Sequence, residues 1–79
     1  MSYSNIDTIL DLKGLTCPVP LMRLKKTLKS MEVGNLIKML ITDPNTQSDL
    51  DRFCLRGNCR VADQNSDSDH HVYIIEKLA

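Results

Sequence analysis

Apolar and polar positions change period several times along the 79 residues, and each change marks an element. Leu10 and Leu12 alternate with Asp11 and Lys13, which predicts a strand over 8–13 that Gly14 ends. From Pro18 the spacing lengthens: Leu21, Leu24, Leu28 and Met31 recur at three- and four-residue steps and form one apolar stripe on a helix over about 18–32. Pro18 suits the first helical position because its missing N–H would find no intrahelical partner there, and Pro20 still falls within the first turn. Gly34 is the expected stop. Residues 36–42 are mostly apolar and read as a covered strand. Asp43-Pro44 then turns the chain. Thr46, with Asp49 three residues on, is the expected cap of a second helix whose apolar edge is Leu50, Phe53 and Cys54 and whose end is Gly57. Two further strands, 59–64 and 71–77, flank the polar turn NSDSDH.

The order β-α-β-α-β-β, with right-handed crossovers, predicts an α/β (α+β) two-layer sandwich. Its four-stranded mixed sheet would carry two helices on one face and leave the other face open. The length allows one domain, 1–79, that buries only about 60–65% of the surface its unfolded chain exposes.

Composition narrows the function. Hydrophobic residues make up 42% and charged residues 25%, an ordinary globular balance. The core is aliphatic: Trp is absent, and only Tyr3, Phe53 and Tyr73 are aromatic, too few for the stacking platforms that grip single-stranded nucleic acid. Formal net charge is zero, yet residues 1–40 carry six basic and three acidic side chains and the remainder four and seven. This dipolar pattern suits an oriented encounter with a partner. The N-terminal sequence lacks the features of an export signal and no long apolar run occurs, so a cytoplasmic protein without membrane contact is expected. Three cysteines in such a chain point to reduced thiols.

The stretch Gly14-Leu15-Thr16-Cys17-Pro18-Val19-Pro20 places one of those thiols against two prolines. If Pro18 opens the helix, Cys17 is its N-cap, where unpaired N–H groups and the positive end of the helix dipole favour an anion. Cysteine pKa values at such places fall from about 8.5 toward roughly 3.5–7.5, so a reactive thiolate is expected. Ser, Thr, Asp or Asn would cap better if capping were the only requirement.

The pattern Gly14-Leu15-x-Cys17-Pro18-x-Pro20, followed by a helix, Asp43-Pro44, and Asp49 to Phe53-Cys54 leading to Gly57, resembles the TusA/SirA-like family of small sulfur carriers over about residues 8–77. The resemblance implies a βαβαββ sandwich in which Cys17 accepts sulfane sulfur as a persulfide from a cysteine desulfurase or other donor. An acceptor protein of a sulfur relay would then receive it, in some members toward tRNA thiolation. The rigid start of the helix, Gly14, Pro18, Val19 and Pro20, would hold the sulfur accessible. Val19 stands where such carriers have an acidic residue, Thr42 where an acidic residue often precedes Asp-Pro, and Arg56-Gly57 where they have an apolar pair. These departures fall near the surface expected to meet the desulfurase, to which Asp43 and Arg56 would belong.

The first helix adds Arg23, Lys26 and Lys29 as candidates for docking an acidic partner, while Lys25 lies close enough to the apolar stripe to lay its stem along it. Direct binding of nucleic acid is not expected. Cys54 reads as core, and pairing with Cys59 is disfavoured by the intervening helix end and a reducing compartment. The set Cys54, Cys59, His70 and His71 does not make a metal site, because adjacent histidines on a strand face opposite ways. No cofactor motif is present. Two other classes remain open: a non-catalytic protein- or RNA-binding module, and a thiol redox protein in which Cys54 or Cys59 resolves Cys17.

Overall fold

Leu12 is almost wholly buried while Asp7, Ile9 and Asp11 are exposed, the burial alternation of a strand with one covered face. The computed structural model describes residues 6–79, so Tyr3 lies outside the described residues. The elements are β1 (Ile6–Leu12), α1 (Val19–Lys29), β2 (Leu36–Ile41), α2 (Pro44–Leu55), β3 (Cys59–Ser66) and β4 (His71–Lys77). The four strands order as β1-β2-β4-β3, with β1 parallel to β2 and both other pairings antiparallel. The fold is the expected α+β two-layer sandwich.

Register brings the apolar positions together: Leu12 lies opposite Ile41, Met39 opposite Tyr73, and Ile37 and Val61 both opposite Ile75. Leu24 and Leu28 of α1 and Leu50 and Phe53 of α2 join these strand residues in one cluster, so both helices cover the same sheet face. Ile37, Met39, Ile41, Leu24 and Leu50 have no exposed surface at all. Tyr73 brings a hydroxyl into this core and donates it to Gln47 Oε1 at 3.1 Å, which ties β4 to α2.

α1 is shorter than the apolar stripe suggests. The N–H groups of Ser30 and Met31 turn to the carbonyls of Thr27 and Leu28, at 3.1 and 3.2 Å, and tighten the last turn. Lys77 at the end of β4 donates Nζ to Leu28 O and Met31 O at 2.6 and 2.7 Å, so a cation closes the negative end of the helix. Met31 stays buried although it has left the helix, and Gly34 lies beyond this closure, not at it. α2 begins earlier than expected: Asp43, in extended conformation, is its N-cap and Pro44 its first residue, so Asp43-Pro44 is a helix start and not a free turn. Thr46 is fully buried inside the first turn. β3 runs two residues past the expected end at Gln64.

Candidate functional site

The chain leaving β1 is folded back onto the junction between β2 and α2. Gly14 adopts φ +81°, a backbone region that favours glycine, and its N–H donates to Thr42 Oγ1 at 2.8 Å. The hydroxyl of Thr42 thus has a structural partner at a position where an acidic residue was the family expectation. Three residues on, the N–H of Cys17 donates to Asp43 Oδ2 at 2.8 Å. The same oxygen accepts the Thr46 hydroxyl at 3.1 Å, and Oδ1 accepts the N–H of Asn45 at 3.3 Å. One carboxylate therefore caps α2 and clamps the Cys17 loop. The Cys17 N–H, and after it those of Asn45 and the Thr46 hydroxyl, hold the Asp43 carboxyl below its ordinary range against a smaller effect of burial.

Cys17 does not cap α1. Val19 N donates to Thr16 O at 3.0 Å and Met22 N to Pro18 O at 3.0 Å, so the chain makes one tight turn, through a cis Cys17–Pro18 peptide, before the helix starts. Pro18 is the N-cap and Val19 the first helical residue. The half-buried Cys17 instead donates its thiol to Asp49 Oδ2, one and a half turns into α2, at 2.6 Å. That hydrogen bond, burial, and the negative charges of Asp49 and Asp43 push the thiol pKa up, where a helix N-terminus was expected to push it down. The expectation failed because it counted only the dipole of α1. Long-range packing sets the Asp49 carboxylate of α2 against the Cys17 sulfur and the carboxylate of Asp43, the N-cap of α2, against the backbone N–H of the same residue.

The other expected residues fall into two groups. Pro20 is buried as part of the core, whereas Pro18 and Val19 are exposed around the thiol. Arg23, Lys26 and Lys29 are all exposed along α1. Lys29 and Arg56 meet in a groove of about 440 Å³, together with Lys25, Leu28 and Phe53, while Arg23 and Lys26 do not line it. Lys25 sets Nζ 5.6 Å from the centre of the Phe53 ring, a cation–π contact that joins the two helices. Among the described residues no group of three or more His, Cys, Asp and Glu side chains is placed to hold a metal ion. Asp49, read from the sequence as a capping partner of Thr46 and as part of the family pattern, was not expected at the thiol. Its spacing from Asp43 was visible, six residues along a helix that starts beside the Cys17 loop, but its facing the thiol was not.

Comparison with known proteins bears on what this arrangement is for. The family model described as Sulfurtransferase TusA matches residues 8–77. The chain belongs to the TusA family. Proteins named Sulfur carrier protein TusA from Pseudomonas aeruginosa and Pseudomonas putida are similar to it: the first is 35% identical over 100% of this chain and 99% of its own, the second 37% identical over 92% and 91%. Among solved structures, a SirA-like protein from Desulfitobacterium hafniense has the same fold, with a TM-score of 0.72 and 18% identity over 89% of this chain and 95% of that one. The TusA model spans the Cys17 loop, Asp43 and Asp49 together. No helix among the described residues is long and apolar enough to cross a membrane.

Proposed function

We propose that the protein is a sulfur carrier that holds sulfane sulfur as a persulfide on Cys17, received from a cysteine desulfurase and passed to a thiol of an acceptor protein in the cytoplasm. Membership of a family whose relatives are named sulfur carriers supports the class of function. The observation that carries the residue assignment is the half-buried Cys17 thiol set 2.6 Å from the Asp49 carboxylate.

In loading, the Cys17 sulfur attacks the outer sulfur of the donor persulfide. The donor's S–S bond breaks, its inner sulfur leaves as a thiolate, and a new S–S bond forms on Cys17. The proton of the thiol moves onto Asp49 Oδ2, which already accepts it in a hydrogen bond, and passes from there to the departing thiolate. Release repeats the exchange with an acceptor thiolate attacking the outer sulfur and Cys17 leaving. Cys17 does not line the groove described above, in keeping with reactants that arrive on partner proteins. The exposed cations of the groove, Lys25, Lys29 and Arg56, suit an acidic partner face.

The test is loading by a cysteine desulfurase and cysteine, followed by intact mass and mapping of the tryptic peptide 14–23. The expected result is one added sulfur on Cys17, removed by reductant and absent in Cys17→Ser. Asp49→Asn is expected to load roughly 10²-fold more slowly, the size of a lost acid–base partner. Loading that persists in Cys17→Ser, or no loading from several desulfurases, contradicts the assignment.

A further inference from the structure

Cys54 and Cys59 take no part in the site at Cys17, yet the helix end that was expected to keep them apart brings their sulfurs into contact. Cys54 lies in the last turn of α2, partly buried against the core, and Cys59 opens β3 with 1% of its surface exposed. Gly57, at φ +92°, reverses the chain between them. The N–H groups of Arg56 and Gly57 are held by Phe53 O and Cys54 O at 3.2 and 3.0 Å, and Asn58 O accepts Leu78 N at 2.9 Å, so the turn is fixed on both sides. The two Sγ atoms lie 3.1 Å apart. Their contact draws negative charge to Cys54, whose thiol is held below its ordinary range, and the same contact together with burial holds the Cys59 thiol well above its own. Cys54 is the sulfur nearer the surface and so the one a reactant reaches first, and the buried Cys59 thiol waits beside it.

We propose that Cys54 and Cys59 are a second thiol site, a dithiol that reduces a peroxide and closes to an intramolecular disulfide. The Cys54 thiolate attacks one peroxide oxygen; the O–O bond breaks, Cys54 becomes a sulfenic acid, and hydroxide leaves and is protonated to water. The Cys59 sulfur then attacks the Cys54 sulfur. The S–O bond breaks, and the hydroxyl leaves as water with the proton from Cys59. Two electrons have passed from the dithiol to the peroxide, which ends as two waters. The sulfurs need to approach by about 1 Å to reach disulfide length.

Trypsin separates the two cysteines, because it cuts after Arg52, Arg56 and Arg60 and leaves Cys54 on peptide 53–56 and Cys59 on peptide 57–60. Hydrogen peroxide is added to the full chain and to Cys17→Ser, free thiols are blocked, and the non-reducing digest is mapped. The expected product is peptides 53–56 and 57–60 joined, with the loss of two hydrogen masses from the monomer, reversed by dithiothreitol and absent in Cys54→Ser. Cys54→Ser changes the more exposed member and is checked for folding by circular dichroism, while the wild-type map needs no variant. Recovery of both peptides blocked separately, after peroxide exposure sufficient to oxidise free glutathione, overturns the proposal. So does a disulfide found only between chains.

Discussion

Asp43 is a single carboxylate with three donors, and its ionisation is built into the fold around Cys17. Those donors hold its pKa below the unfolded value of about 3.9. A group depressed in this way stabilises the folded protein at every pH above its unfolded pKa, and that contribution disappears as pH falls through the folded pKa. Thermal unfolding followed from pH 6 downward is therefore expected to lose stability below about pH 4. In Asp43→Asn the midpoint at neutral pH is lower and the acid-range slope is reduced. Asp49 acts on Cys17 at rest through its charge and hydrogen bond, which favour the protonated thiol, and in the attack proposed above the same oxygen would take the departing proton.

The elements themselves are held as much by side chains arriving from elsewhere as by their own sequences. α1 ends where Lys77 reaches it from β4, 49 residues away from Leu28. Lys77→Met keeps the stem and removes the charge, so Met31 O loses its donor and Leu28 O keeps only the Met31 N–H. It is expected to cost about 1–2 kcal/mol in a urea titration, with the slope of the transition unchanged. That contact explains what periodicity could and could not supply. Leu21, Leu24 and Leu28 located the helix and Met31 correctly marked its core side, but the stripe continued through Met31 while the helix stopped at Lys29. The strand His71–Lys77 has the expected bounds, yet Tyr73, Ile74 and Ile75 in its middle are all buried, so both of its faces are covered there and burial does not alternate. Asp43-Pro44 looked the same as a turn and as a helix start, and the difference lay in a side-chain bond to Asn45. For the site, the loop motif named Cys17 but not its surroundings, since Asp43 and Asp49 reach it across 26 and 32 residues of chain.

Taken as a whole, the molecule places its thiol, its cations and its paired cysteines on parts of one small core. The order of elements was legible because each change of hydrophobic period coincided with Gly or Pro punctuation, and a βαβ crossover has one favoured hand. In three dimensions basic side chains from both halves of the chain meet in one groove, where Lys25 and Lys29 of α1 stand with Arg56 beyond α2. Reversing charge there, in the double variant Lys29→Glu with Arg56→Glu, is expected to slow association with an acidic desulfurase about tenfold at low salt. The difference should shrink as salt screens it. Binding measured by surface plasmon resonance over a salt series checks this, and an unchanged on-rate would place the partner elsewhere.

The contact between Cys17 and Asp49 is the claim on which the chemistry turns, and the titration of that thiol tests it most directly. Alkylation of the peptide 14–23 by iodoacetamide, followed across pH, reports the thiolate fraction of Cys17 separately from Cys54 and Cys59. The midpoint is expected above that of an ordinary cysteine, about 8.5, and is expected to move down in Asp49→Asn. A wild-type midpoint below neutrality, or one that Asp49→Asn leaves in place, would contradict the account.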